Sequence, residues 1–494
     1  MNTKKTAMEN ENTKPTGNAG TGNVSRKDFL RKMGIGAAGL MSMSSFSPLL
    51  TACSGPVAKK KPNIVFILSD DQGWNQTGYM GSTFYETPNI DRIAHEGFHF
   101  TDAYSASPLC SPARASIMTG KNPARLHLTD YIPGGLFPHK PLIAPPIQNY
   151  LPVSEKTIPE YLNEQGYATG HIGKWHLSPD RRYDEPARFW DPEHRGFDVV
   201  LQNSRPQLGE VYEDDSHHVE SITRHSLQFI EEYKDQPFFL YVSHHVPHRP
   251  LLEEAALIRK YEEKPGSDLD INNPIMGAMI ERMDSGIGRI LDSLDENGLT
   301  ENTIVVFFSD NGGLELLQSQ HPLRGGKAMV FEGGIRVPLC IRWPGVISPG
   351  SSSNQPVISD DFLPTLADML GFRVTDPDID GISILPILKS ERETLDREAL
   401  YWHYPHYHHL GYKPGGAIRM GDYKLIEWYE ESKWGQPDQV NLYNLREDIG
   451  ETNDLAREYP DLAVQMRRML HQWQRRVGAS EMTLNPHYKV DLQD

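Results

Sequence analysis

Residues 63–69 (NIVFILS), 237–242 (PFFLYV) and 303–309 (TIVVFFS) are apolar, almost without a break, over the length of one strand. A strand wetted on one face alternates apolar and polar residues. One covered on both faces does not, so these runs predict strands inside a parallel sheet. Each run gives way to polar residues: Asp70-Asp71, His244-His245 and Asp310-Asn311. Ligands of open α/β sheets gather beyond the carboxyl ends of the strands, so the three ends predict one shared site. Between the strands, Met276, Met279, Ile280, Met283, Ile287, Ile290, Leu291 and Leu294 recur at helical spacing, with Gly298 as a stop. That stripe predicts a helix packed on the core.

Near residue 390 the alternation of long strands and helices ends. Residues 417–419 and 423–428, separated by Gly421-Asp422, predict a hairpin. Residues 440–445 predict a further strand and 460–477 a closing amphipathic helix. The chain therefore divides into a large α/β part, 62–389, and a smaller antiparallel-sheet part with a helix, 390–494. No internal repeat is visible.

With 494 residues the chain can bury a large core. Its formal net charge is −17; residues 1–53 carry seven Lys/Arg and three Asp/Glu, so the remainder stands at −21. So acidic a body argues against a nucleic-acid partner. An anionic substrate would have to be drawn by a local cationic pocket. Three cysteines, Cys53, Cys110 and Cys340, are too few for a disulfide framework. Cys340 lies in an apolar run and is expected as a lone buried thiol.

The N-terminus reads as an export signal: a basic segment, 25–32, precedes the small, mildly apolar 33–50. Arg26-Lys27 with Phe29-Leu30 resembles a variant of the twin-arginine signal. Leu50-Thr51-Ala52-Cys53 resembles a bacterial lipobox, which implies acylation of Cys53 and membrane contact through that lipid alone. Residues 54–61 would be the tether. The resemblance implies an exported protein, in the periplasm or on the outer cell surface.

The most specific motif is residues 108–120, PLCSPARASIMTG. It resembles the first sulfatase signature, a C-x-P-x-R core followed by apolar residues and Thr-Gly. Residues 166–176, GYATGHIGKWH, resemble the second. The resemblance runs from about residue 62 to 455. It implies an alkaline-phosphatase-like α/β sandwich with a mostly parallel central sheet. The implied enzyme is a formylglycine-dependent sulfuric ester hydrolase whose Cys110 is converted to 3-oxoalanine by a separate maturation enzyme. A hydrated aldehyde carries two hydroxyls on one carbon. One can attack sulfur and the other can expel sulfate from the sulfoenzyme, which a plain serine or thiol cannot do.

The family further implies one Ca2+ held by Asp70, Asp71, Asp310, Asn311 and the modified Cys110, an oxygen-rich set suited to a hard cation. Arg114, Lys174 and Lys327 would hold the sulfate oxygens and the nucleophile. Ala328 stands where the family usually has glycine. His176 would take the proton that triggers sulfate release, and His248 with Lys327 would protonate the leaving alcohol. Outside the signatures, His403, His406 and His408 belong to an aromatic, histidine-rich segment that opens the small domain. They are candidate sugar-binding residues, a second metal site or solvated loop residues. The expected substrate is a sulfated carbohydrate, such as algal galactan or glycosaminoglycan fragments. Alternatives are a phosphonate or phosphate ester hydrolase of the same superfamily and a non-catalytic lipoprotein that binds sulfated glycan.

Overall fold

The three apolar runs are strands in which every residue is buried. The structure, a computed structural model, describes residues 60–181, 185–201, 217–435 and 439–488. The export signal, Cys53 and most of the tether lie outside them. The large sheet has eight strands: β1 (Asn63–Asp70), β2 (Phe98–Phe100), β3 (Ala168–Gly173), β4 (Val199–Leu201), β5 (Phe238–Pro247), β6 (Thr303–Ser309), β7 (Leu339–Arg342) and β8 (Ser351–Ser353). Their order is β8-β2-β7-β6-β1-β5-β3-β4. Only β7 runs antiparallel to its neighbours. At the centre β1 pairs in parallel with β6, from Asn63↔Thr303 to Ser69↔Ser309, and with β5 on its other side.

Alternate residues of β1 feed two cores. Ile64, Phe66 and Leu68 join one, with Phe362, Leu363 and Leu366 of a covering helix. Val65 and Ile67 join the other, with the methionine and isoleucine stripe. That stripe lies on a helix spanning Pro274–Glu296, and Gly298 follows its end at φ 64°. Each large side chain so buried contributes about 1.5–3 kcal/mol. The result is the α/β sandwich with a mostly parallel sheet. Cys340 is a buried free thiol on β7.

One difference matters for the site. β5 does not stop at Val242 but continues to Pro247, so His244 and His245 are strand residues. His244 is fully buried, and burial pushes its pKa down to about 4. It is a neutral core residue.

The small sheet comprises β9 (Leu400–Tyr404), β10 (Gly415–Met420), β11 (Tyr423–Trp428) and β12 (Val440–Asn444), all antiparallel. The hairpin closes at Met420↔Tyr423 over Gly421, at φ 58°. A helix spanning Pro460–Val477 covers one face with Met466, Leu470 and Trp473. The other face packs Trp402, Tyr404, Ala417 and Ile426 on Tyr104, Leu109, Ala328 and Phe331. Leu109 and Ala328 each adjoin a candidate site residue, so the small sheet backs the segments that carry the site. Among the described residues no helix is long and apolar enough to cross a membrane.

A buried ionic cluster also joins the two parts. Lys424 Nζ lies 2.9 Å from both Glu332 Oε1 and Glu451 Oε1, and all three residues are fully buried. Burial pushes Glu451 up to about 7 despite Lys424, so it is partly protonated near neutrality. Lys424→Met leaves two buried acids without their common cation and should cost about 3–5 kcal/mol. Glu451→Gln mimics the protonated acid and should cost much less. Denaturation midpoints of the two variants check this ordering; equal losses would contradict it.

Candidate active site

The carboxyl ends of β1, β3, β5 and β6 and the start of one helix converge. Asp70 ends β1. Asp71 follows with φ 65°, a left-handed turn that aspartate tolerates better than most residues, and its backbone N–H donates to Asp310 Oδ1 at 3.1 Å. Asp310 and Asn311 follow β6, and Lys174 follows β3. Cys110 is the first residue of the helix Cys110–Thr119, whose N-terminal dipole favours negative charge. Cys110 Sγ lies 3.4 Å from Asp70 Oδ1, 3.8 Å from Asp71 Oδ1 and 3.4 Å from Lys327 Nζ.

Three cations are buried with three carboxylates. Lys174 Nζ sits 2.6 Å from Asp70 Oδ2. Lys327 Nζ bridges Asp71 Oδ1 and Oδ2 at 2.6 and 2.7 Å. Arg114 donates through Nε and Nη2 to Asp310 Oδ2 at 2.9 and 2.7 Å. Burial works to raise the pKa of Asp70, but Lys174, His248, Arg114 and Lys327 hold it well below the usual carboxylate range. For Asp310 burial and the neighbouring Asp70 prevail over Arg114 and push it up to about 6. Burial raises the Cys110 thiol to about 12 although Lys174 and Lys327 oppose it. As an unmodified residue Cys110 is thus a neutral thiol, a poor nucleophile.

One ligand atom each from Asp70, Asp71, Cys110 and His248 lies within 4.8 Å of the others, close enough to share a metal ion. Asn311 Nδ2 donates to Asp71 Oδ1 at 2.8 Å, while Asn311 Oδ1 is buried with no hydrogen-bond partner among the described residues. Such an acceptor is what a hard cation satisfies. Asp310 stands outside the four-residue group, with Arg114 on its Oδ2 and the Asp71 N–H on its Oδ1.

Cys110 lines a cavity of about 520 Å3, the size of a small-ligand cleft. Asp71, His176, His248 and Lys327 also line it, as do Tyr131, Arg181, Arg249, His408 and His409. His176 Nε2 lies 3.1 Å from the Ile132 carbonyl oxygen, so Nε2 carries the proton and Nδ1 is the basic nitrogen. His248 Nδ1 donates to the Arg249 carbonyl oxygen at 2.7 Å, and its Nε2 lies 3.6 Å from Asp71 Oδ2.

Three of the predicted site residues, Arg114, His403 and His406, do not line the cavity. Arg114 does not face the cavity. It is fully buried, and besides Asp310 its guanidinium serves the Lys174 carbonyl oxygen and Ser243 Oγ at 3.1 and 2.6 Å. It acts on the site by holding Asp310 and the strand ends. His403 is likewise away from the cavity, bonded to Tyr429 Oη at 2.6 Å and the Ser480 carbonyl oxygen at 2.8 Å. His406 is buried with Nε2 2.7 Å from Thr129 Oγ1. Both are packed by the small sheet, and only His408 of the predicted three reaches the wall. Sequence reasoning missed Ser243, Tyr131, Arg181 and Arg249. Arg249 carried a signal, since it directly follows His248.

Ala328 has φ 70°, the region that favours glycine, which accounts for the family's usual residue there. Alanine pays about 1–2 kcal/mol for this conformation, and its methyl is buried in the apolar cluster behind the site.

These strand ends, carboxylates and cations are those of a sulfuric ester hydrolase. The chain belongs to the sulfatase family: the family's profile matches residues 62–372. A second profile, described as N-sulphoglucosamine sulphohydrolase, C-terminal, matches residues 325–476. A sulfatase of Formosa agariphila is 31% identical, over 86% of this chain and 91% of its own. The N-acetylgalactosamine-6-sulfatase of Mus musculus is 30% identical, over 82% of this chain and 79% of its own. The solved structure of Ps i-CgsB in complex with k-i-k-neocarrahexaose superposes with a TM-score of 0.70, at 27% identity over 88% of this chain and 96% of that one.

Gly173 sets the position of Lys174. At φ 106°, a Cβ there would come within 1.9 Å of the Ser243 carbonyl oxygen on β5. Gly173→Ala should therefore force β3 and β5 apart and cost about 3 kcal/mol or more. A thermal midpoint within a degree of the parent's would contradict this placement.

Proposed function

We propose that the protein hydrolyses sulfate esters on sulfated carbohydrates, such as algal galactan or glycosaminoglycan fragments, using 3-oxoalanine formed from Cys110 and one bound Ca2+. The observation that carries this reading is the position of Cys110: on the cavity wall, at a helix N-terminus, with Asp70, Asp71 and Lys327 around its sulfur. The two relatives are a sulfatase and an N-acetylgalactosamine-6-sulfatase, and the superposing structure holds a neocarrahexaose.

Three acids and three cations leave the site close to neutral. Ca2+, held by Asp70, Asp71 and Asn311 with the modified residue 110, would add the positive charge that a sulfate ester needs and would polarise it. The hydrated aldehyde would supply two hydroxyls on one carbon, one to displace the alcohol and the other to expel sulfate. Lys327 bonds both carboxylate oxygens of Asp71 and lies within reach of residue 110. His176 offers Nδ1 to take the proton of the second hydroxyl. His248 presents Nε2 toward the reacting centre and would protonate the departing alcohol, with Lys327. Arg114 and Lys174 keep Asp310 and Asp70 oriented.

Cys53 would be acylated after export, anchoring the enzyme at the periplasmic or outer face of a bacterial envelope. A formylglycine-generating enzyme would act on the 110–114 segment before folding closes over it, since Cys110 is only 2% exposed.

Cys110→Ala should lower sulfate release from an aryl sulfate or a sulfated oligosaccharide on the order of 1,000-fold or more. Ca2+ at a hundred times its dissociation constant should stabilise the parent by about 2.7 kcal/mol, an effect that Asp71→Asn should remove. Undiminished turnover by Cys110→Ala, or faster cleavage of phosphate than of sulfate esters, would overturn the reading.

A further inference from the structure

The cavity wall carries three strong cations, and two of them are committed. Lys327 is held by Asp71. Arg181 is paired with Glu193 and lies 3.6 Å from Asp191 Oδ2. Arg249 is different: among the described residues no carboxylate lies within ion-pair distance of its guanidinium, although it lines the cavity and directly follows His248. His408 and His409 line the same part of the wall, with ring centroids 4.0 Å apart, and Tyr131 stands 6.0 Å from His408.

None of Arg249, His408 and His409 contacts Cys110, Asp70 or Asp71 through a hydrogen bond or ion pair. The protein as a whole is acidic, so its global field repels a polyanion. A cation with no carboxylate partner among the described residues, placed beside two imidazoles on the wall of the reaction cavity, supplies local attraction where the rest of a substrate must lie. Guanidinium pairs with the oxygens of sulfate or carboxylate in a two-pronged geometry, and neutral imidazoles donate or accept hydrogen bonds around them. Leu314 and Leu410 on the same wall suit the apolar face of a sugar ring.

We propose that Arg249, with His408 and His409, forms a second oxyanion subsite, so that the preferred substrate is a sulfated saccharide bearing a further sulfate or carboxylate beside the ester that is cleaved. This rests on the reading of the cavity as a carbohydrate sulfatase site. The second anion is recognised but not broken: the reaction remains hydrolysis of one sulfate ester, and the subsite raises affinity and fixes which ester faces residue 110.

The test compares kcat/KM of the matured full-length protein for three disaccharides that share the cleaved sulfate. One has no other charge, one carries a neighbouring carboxylate and one a second sulfate. The parent should favour at least one dianionic substrate by tenfold or more. Arg249→Ala should reduce that ratio at least tenfold, chiefly through KM, and Arg249→Lys should fall between. The dianion that gains shows whether carboxylate or sulfate is the second group. A ratio that Arg249→Ala leaves unchanged, or a parent that favours the singly charged substrate, overturns the subsite while leaving the sulfatase reading intact. Absence of sulfate release from all three, with aryl sulfate still cleaved, overturns the carbohydrate reading and the subsite with it.

Discussion

Three neighbouring carboxylates cannot be buried as charges unless equal positive charge is buried with them. Asp70, Asp71 and Asp310 meet this condition through Lys174, Lys327 and Arg114, and much of the architecture serves it. Each acid follows or ends a strand of the parallel sheet, so pairing of β1 with β6 fixes the distance between them. Lys174 enters from β3 through a glycine turn, and Arg114 enters from the helix that Cys110 opens. Because the six charges nearly cancel, the site is tolerable without ligand. A divalent cation would tip it to the sign an anionic ester needs.

The same constraint separates groups that touch substrate from groups that hold others. Arg114 is as buried as any residue of the core, and its contacts with Asp310, Ser243 and the Lys174 carbonyl oxygen tie the segments of β6, β5 and β3 together. Lys327 and His248 meet the cavity itself. In the proposed subsite, recognition of the remainder of the substrate would fall to residues from other segments: Arg249 just beyond β5, and His408 and His409 after β9. Chemistry and selectivity would then have different structural origins in one cavity.

What the sequence made legible follows from the strength of each local signal. Runs buried on both faces announced β1 and β6, and the 3.6-residue stripe announced the long helix with its stop at Gly298. The hairpin over Gly421 was legible from its turn residues. Strands of three residues, such as β2 and β8, carry too few positions for any period to show. The continuation of β5 through His244 and His245 was hidden because buried histidine looks like a functional residue until its surroundings are known. The surroundings of His403 and His406 were hidden for the same reason: both are buried and hydrogen-bonded within the fold. The signatures point to Arg114 but do not say that it faces away from the cavity, which depends on where Asp310 and Ser243 come to lie. Ala328 was visible as a departure, and its φ of 70° gives the departure a physical meaning.

The central claim is that residue 110 works as an aldehyde hydrate and not as a thiol. Its most direct test is peptide mass spectrometry across residues 108–120 of protein that releases sulfate. The account requires the thiol sulfur to be replaced by an aldehyde oxygen in the active fraction, with activity rising in proportion to the modified share. An intact thiol in protein that still releases sulfate at full rate would contradict it.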